Sequence, residues 1–376
     1  MTRTLPRNPA RDGYRMPAEF EPHAGCWLLW PERPDNWRDS GKPAQQAFAA
    51  VAAAIARFEP VTVGTSPAHF ESARRQLAQG VRVVEMTHDD AWMRDVGPTF
   101  VVDSKGGVRG VDWRFNAWGG HRGGLYSSWD QDELVALKVL EIERRDRYAS
   151  ALVNEGGAIH VDGQGTALVT EECLLNPNRN AGMTREQIEG TLRDYLGVST
   201  VVWLGKGVLN DETSGHVDNL ACFVRAGEIC LTWTDDAADP QHAISKDAFE
   251  RLSAARDARG RSFKVQKLPM PGPLFMSEAE ARGLAPRQGT KPRPAGERLA
   301  ASYVNFYIAN GGIVMPLLDE RTDRTAAARL RKLFPGRRIV GVPAREILLG
   351  GGNIHCITQQ VPLARNRRKS AGGRHG

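Results

Sequence analysis

Apolar and polar positions along the chain follow two periods. Residues 42–58 (KPAQQAFAAVAAAIARF) repeat apolar positions at helical spacing, which predicts an Ala-rich helix with one buried face. Further helices are predicted near 130–145, 183–196 and 322–333. Between them lie short β-rich runs with Gly-containing turns. The order polar residues, apolar run, turn, apolar run occurs in RDVGPTFVVDSKGGVRGVDW, NEGGAIHVDGQGTALVT, GHVDNLACFVRAGEICLTW and NFYIANGGIVMPL. Each reads as a β-hairpin.

The hairpins are regularly spaced. Asp95, Glu155 and His216 open three of them, at separations of 60 and 61 residues. The next unit begins near Asn305, and the last polar cluster surrounds Cys356. The long step from 216 to 305 contains a segment with six prolines, about 269–300. It reads as an excursion within one fold, although its composition also fits a linker between two domains. A recurring hairpin plus helix points to a ring of supersecondary units whose polar openings meet at one centre. An ordinary α/β domain with coincidentally similar hairpins is the competing reading.

Composition narrows the class. With 376 residues, 41% of them apolar, the chain can bury a large core without disulfides or metals. Collagen-like, wholly disordered and small disulfide-stapled classes are excluded. The longest apolar run, Ala47 to Ala56, is far short of the ~20 residues that span a bilayer, so no membrane role is expected. No apolar stretch follows the start, which argues against a secretory signal.

The formal charge of +6 invites a nucleic-acid reading. Its distribution argues otherwise. Residues 1–15 carry four Arg and one Asp, a net +3, and residues 365–376 carry four Arg and one Lys with no acid, a net +5. The remainder is then slightly acidic. A phosphate-binding domain would show a basic face on the folded body. The two ends are instead expected to be basic, flexible tails, the second a disordered one, flanking a body of residues 16–364.

Five cysteines are present, an odd number without a CxxC pair. A disulfide framework or a cysteine zinc site is not expected, and a reducing cytoplasm is. Cys26, Cys173, Cys222 and Cys230 have apolar neighbours and read as core. Cys356, in LLGGGNIHCITQQVP, has Asn353, His355, Thr358 and Gln359 around it and three glycines ahead of it. It reads either as a presented nucleophile or as a buried structural thiol. His216 and Asp218 form an H-x-D pair; on a strand they would share a face. They fit an acid–base beside an anionic group, part of a metal site, or a surface polar pair. Glu155 fits a carboxylate that orients an imidazole, or an exposed turn. Asp95, after Trp92 and Arg94, fits a binding carboxylate or an acidic loop. One thiol, one imidazole and several carboxylates suit a planar delocalised cation such as guanidinium, which carboxylates grip bidentately while a thiol attacks its carbon.

At this point the motifs MPAEFEPHAGCWLLWPERPDNWR, AWMRDVGPTFVV, NEGGAIHVDGQGTALVTEECLLNPNRN, ETSGHVDNLACFV, ASYVNFYIANGGIVMP and EILLGGGNIHCITQQVP resemble the agmatine deiminases. These are a branch of the guanidine-modifying enzymes that also includes peptidylarginine and arginine deiminases. The resemblance runs from about Met16 to Pro362. It implies an α/β fold, the five-bladed pseudo-symmetric α/β propeller or pentein fold, as a single catalytic domain. Carried over by motif, it implies Cys356 as nucleophile, His216 as acid–base and Glu155 as the partner of that histidine. Asp218 and Asp95 would bind guanidinium, Trp92 would line the substrate slot, and Asp211 and Glu212 would hold the distal ammonium. The implied reaction converts agmatine to N-carbamoylputrescine and ammonia on a route to putrescine, with no metal or organic cofactor. A homodimer or other homo-oligomer is implied as well. A deiminase or amidinotransferase acting on free or peptidyl arginine is the nearest alternative. A non-catalytic binder of guanidinium or polyamine ligands, and a nucleic-acid binder acting through its tails, are the others.

Overall fold

The computed structural model describes residues 2–364, so the expected basic tail at 365–376 lies outside the described residues. The strands form five small sheets, none wider than four strands. Four of them repeat one order: an antiparallel hairpin, a helix, and a third strand parallel to the second. A parallel strand cannot follow a tight turn, and the helix supplies the crossover. The first such blade is Thr99–Val102, Val108–Arg114 and Arg147–Val153, with helix Val135–Ile142. The second is His160–Val161, Thr166–Thr170 and Thr200–Leu204, with helix Arg185–Leu196. The third is Ala221–Arg225, Glu228–Trp233 and Lys264–Pro269, with helix Pro240–Ala254. The fourth is Tyr307–Ala309, Gly312–Leu317 and Arg338–Pro343, with helix Glu320–Leu333.

The fifth blade is built from both ends of the chain. Gln359–Pro362 pairs antiparallel with His23–Leu29, which pairs parallel with Val61–Thr65 across the helix Lys42–Ile55. Arg82–Glu85 adds an outer strand. The last strand takes the place that a hairpin's first strand fills elsewhere, and its pairing closes the ring. The fold is the five-bladed α/β propeller that the resemblance implied, and it agrees with the ring toward which the recurrence pointed.

The four predicted helices are present, with ends set by local chemistry. Arg185–Leu196 starts at a Thr184/Gln187 capping box, buries Ile188, Leu192 and Leu196, and ends at Gly197 with φ 66°. The pattern did not predict the helix Pro240–Ala254. Its buried positions are Gln241, Ser245, Ala248 and Leu252, so half the inward stripe is polar and no apolar period shows. Gln241 is inside because its Oε1 accepts the Leu209 N–H at 2.8 Å.

The N-terminal segment differs from expectation. Residues 2–15 are held on the body instead of forming a flexible tail. The Leu5 N–H donates to Arg147 O, and Arg15 and Val102 form a bridge. Two of the segment's four arginines find acids: Arg3 pairs with Asp146 at 2.7 Å and Arg15 with Glu21 at 2.8 Å. Tyr14 is buried against Tyr148. The proline-rich residues 269–300 leave the third blade, form the capped turn Glu278–Arg282, and bring Lys291 and Arg293 to Glu212.

Val361 is buried in the closing strand, opposite Gly25. A charge there has no partner, so Val361→Asp is expected to cost more than about 3 kcal/mol. Thermal unfolding checks this, and an unchanged midpoint would show that closure does not hold the ring.

Candidate active site

Each blade delivers one polar side chain to the hub from the turn ahead of its first strand. Asp95 sits in the one-turn helix Met93–Val96, Glu155 ahead of the turn Gly156–Ala158, and His216 ahead of the turn Val217–Leu220. Asn305 precedes Tyr307, and Cys356 precedes Gln359. All five are buried. His216 and Asp218 are therefore not on a strand, and the alternation argument for their common face does not apply. Residue 216 opens a helical turn and residue 218 lies within it, and that turn brings both to the hub.

Gly157 shows how tightly these groups converge. Its N–H donates to Asp95 Oδ1 at 2.9 Å. A Cβ built on it would stand 2.5 Å from His216 Nδ1 and 2.9 Å from both Asp218 Oδ2 and Asp95 Oδ1. No larger residue fits between them.

The thiol lies against two of these side chains. Asn305 Nδ2 donates to Cys356 Sγ at 3.2 Å, and Sγ is 3.5 Å from Asp218 Oδ2. Gly352 lies over the sulfur, where a Cβ would meet Sγ at 3.1 Å and the Trp92 ring at 2.5 Å. Trp92 thus walls the thiol, and its Nε1 is fixed on Asp90 Oδ2 at 2.9 Å. The imidazole of His216 lies between two carboxylates, with Nε2 3.4 Å from Glu155 Oε2 and Nδ1 3.8 Å from Asp95 Oδ1. Glu155 is anchored by Arg179 Nε at 2.7 Å, and Asp95 by Trp118 Nε1 at 2.9 Å. Trp118 has left-handed backbone, φ 61°, with its carbonyl held by Arg179.

Charge in this dry space is finely divided. Burial pushes the Asp95 carboxyl up, His216 works against that, and Asp218 and Glu155 push it further, to about 6. Burial opposes ionised Asp218 too, but His355 beside it wins and holds its pKa below the usual carboxylate range. Glu155 is likewise held low, with Arg179 and His216 outweighing burial. Burial disfavours an imidazolium at His216, yet Asp95, Cys173 and Glu155 together hold its pKa well above normal. Burial, then Asp218 and Asp95, push the Cys356 thiol well above its ordinary range. In this state the sulfur is protonated and the imidazole charged.

Asp218 Oδ1, Glu155 Oε2 and both ring nitrogens of His216 have no hydrogen-bond partner among the described residues. A buried polar atom without a partner is costly, and together these atoms present acceptors and a proton donor to one small volume. Among the described residues, two groups of ligating atoms are compact enough for a metal ion: Glu155, Cys173 and His216, and Glu19, His160 and His355. In each, the carboxylate already carries a guanidinium, Arg179 on Glu155 and Arg94 on Glu19, which disfavours a further cation.

The distal pair divides. Asp211 Oδ1 accepts from the Thr213 N–H and hydroxyl, and Oδ2 from Asn219 Nδ2. These bonds fix Asp211 within its own loop. Glu212 abuts Gly351 beside the nucleophile turn, and is paired with Arg293 at 2.5 Å and Lys291 at 3.4 Å. Sequence reasoning assigned no role to Asn305, Arg179, Trp118, His355 or Glu19. Asn305 had been seen only as the start of a unit, and Arg179, His355 and Glu19 lie inside motifs already singled out.

Gly157→Ala is expected to push His216 and both aspartates apart. It should lower any turnover that uses them by about 100-fold or more, read as kcat/KM; wild-type kcat/KM would contradict the packing.

Comparison with known proteins agrees with this geometry. Residues 15–362 match the model of the Porphyromonas-type peptidyl-arginine deiminase family. The chain is 59% identical to the agmatine deiminase of Pseudomonas aeruginosa (strain UCBPP-PA14) over 359 residues, 95% of this chain and 98% of that one. It is 59% identical to a putative agmatine deiminase of Latilactobacillus sakei over 364 residues, 96% of this chain and all of the other. The solved agmatine deiminase of Enterococcus faecalis superposes with a TM-score of 0.95 at 48% identity, covering 97% of this chain and 100% of that one. The chain belongs to the Porphyromonas-type peptidyl-arginine deiminase family, on the branch of the agmatine deiminases.

Proposed function

We propose that this protein hydrolyses agmatine to N-carbamoylputrescine and ammonia through an amidino-thioether on Cys356. The single observation that carries the reading is the convergence in one buried hub of Cys356 Sγ 3.5 Å from Asp218 Oδ2 and of His216, 3.4 Å from Glu155 Oε2 and 3.8 Å from Asp95 Oδ1, all around Gly157 and Cys356. Asp95 and Asp218 grip the guanidinium nitrogens. The substrate's charge offsets the two carboxylates that hold the thiol protonated, so Cys356 releases its proton to solvent as substrate arrives, and the sulfur takes one back from solvent after product leaves. The thiolate adds to the guanidinium carbon. The His216 imidazolium gives its proton to the departing amino group, the C–N bond breaks, and ammonia leaves a cationic amidino-thioether. Neutral His216 then takes a proton from water as the oxygen bonds to carbon. The C–S bond breaks, its electrons return to sulfur, and the protonated urea loses its proton to solvent. Glu155 keeps the imidazole oriented and proton-loving throughout.

Glu212 is the residue proposed to hold the distal ammonium, in exchange with Lys291 and Arg293. A homo-oligomeric state and a cytoplasmic location complete the proposal. The first is what the resemblance implies. The second is supported by five free cysteines and by the absence, among the described residues, of any helix long and apolar enough to cross a membrane.

Cys356→Ala is expected to lose turnover by at least about 1000-fold while still binding agmatine in calorimetry. Enzyme quenched during turnover is expected to carry an amidino adduct on Cys356 in mass spectrometry; an adduct on another cysteine would reassign the nucleophile. Arginine turned over as well as agmatine would move the substrate assignment.

The pH dependence has a definite sign. Asp95 binds a cation only when ionised, and in the free protein it takes up a proton as pH falls through about 6. The kcat/KM for agmatine is therefore expected to fall below that pH. The kcat limb should lie lower, because bound cation favours the ionised form. A flat kcat/KM across that range would remove Asp95 from the clamp.

A further inference from the structure

Behind the clamp lies a second buried polar chain that the mechanism above does not use. His355 Nδ1 meets Asp218 Oδ2 at 2.8 Å, and its Nε2 meets Glu19 Oε1 at 2.8 Å and Oε2 at 3.0 Å. Arg94 Nη1 donates to Glu19 Oε1 at 3.2 Å, and Arg94 Nε to the His355 carbonyl at 3.3 Å. His160 Nε2 faces Glu19 Oε2 at 3.6 Å. Its Nδ1 accepts the Phe223 N–H, which places the His160 proton on the side of Glu19. All of these side chains are buried.

Ionised carboxylates only accept hydrogen bonds, and His355 has one at each ring nitrogen. Both nitrogens therefore carry protons, and the ring is a cation between two anions. The effect on Asp218 is specific. Its Oδ2 is taken by His355, while its Oδ1 is buried without a partner. Asp95, the other clamp carboxylate, is anchored only by the neutral donors Gly157 N–H and Trp118 Nε1. The charged or titratable groups facing Asp218 are His355, His216, Arg94, Asp95 and the thiols of Cys356 and Cys222.

We propose that Glu19 and His355 form a positioning relay that keeps Asp218 ionised and turns its Oδ1 toward the guanidinium. Neither residue touches substrate. Glu19 holds the proton on His355, and His355 holds the charge and angle of Asp218. Arg94 neutralises the remaining charge of Glu19. The relay rests on the reading of Asp218 as a guanidinium clamp.

The experiment compares kcat and KM for agmatine across pH in His355→Asn, Glu19→Gln and the double variant. Asparagine can still donate to Asp218 Oδ2 but carries no charge, and glutamine at 19 keeps an acceptor without the anion. Without the imidazolium, burial is left to raise the Asp218 carboxyl out of its low range, so each single variant is expected to add a second ionisation to the acid limb that Asp95 sets, steepening it and moving it to higher pH by about one unit or more. KM should rise about tenfold or more just below neutrality, with a smaller change in kcat. The double variant should be no worse than His355→Asn alone, since the two residues act in series. Unmoved acid limbs and KM in a folded Glu19→Gln protein, or additive losses in the double variant, would overturn the relay. Asp218→Asn with wild-type KM would instead remove the clamp reading beneath it. Retention of the Cys356 adduct in the relay variants at alkaline pH would show that clamp and nucleophile are intact and that only positioning was lost.

Discussion

Three carboxylates crowded into one dry hub are the constraint on which this structure turns. Asp95, Asp218 and Glu155 repel one another, and each would be costly to ionise there alone. The chain answers each differently. Arg179 neutralises Glu155, His355 neutralises Asp218, and Asp95 has only neutral donors and the nearby His216. The hub is therefore organised to receive one more cation, and a planar one that presents several N–H groups fits the unpartnered oxygens.

The same field governs the sulfur. A thiol beside two carboxylates and out of water is a poor nucleophile at rest. In the proposed mechanism, a cation gripped by those carboxylates reverses the sign of the local potential at the moment it brings the electrophilic carbon. Reactivity is thus coupled to occupancy, and the free thiol is protected from solution electrophiles by the same burial.

The propeller makes this possible because each blade needs to supply only one short turn. A hairpin preceded by a helical or glycine turn can aim one side chain at the axis without interrupting its ladder. Ring closure through Gln359–Pro362 and His23–Leu29 places Cys356, far along the chain, beside residues of the first three blades. The proline-rich excursion then adds Lys291 and Arg293 to Glu212 at the edge of the nucleophile turn.

Much of this was legible in the residues. The hairpins, their spacing, four of the five crossover helices and the polar openings follow from local periodicity and turn chemistry, which a sequence carries directly. The helix Pro240–Ala254 was not, because its inward stripe is half polar. Nor was the order of residues 2–15, because the partners that hold their start, Asp146 and Arg147, are distant in sequence. His355, Glu19 and Asn305 gained their roles only from tertiary structure. Each is an ordinary polar residue in its own segment, and what makes it functional is the proximity of a partner from another blade. Sequence by itself determined the repeating unit and the chemistry-bearing residue types. Only the closed ring decided which charges neutralise which, since electrostatic coupling depends on distance in space and not on separation along the chain.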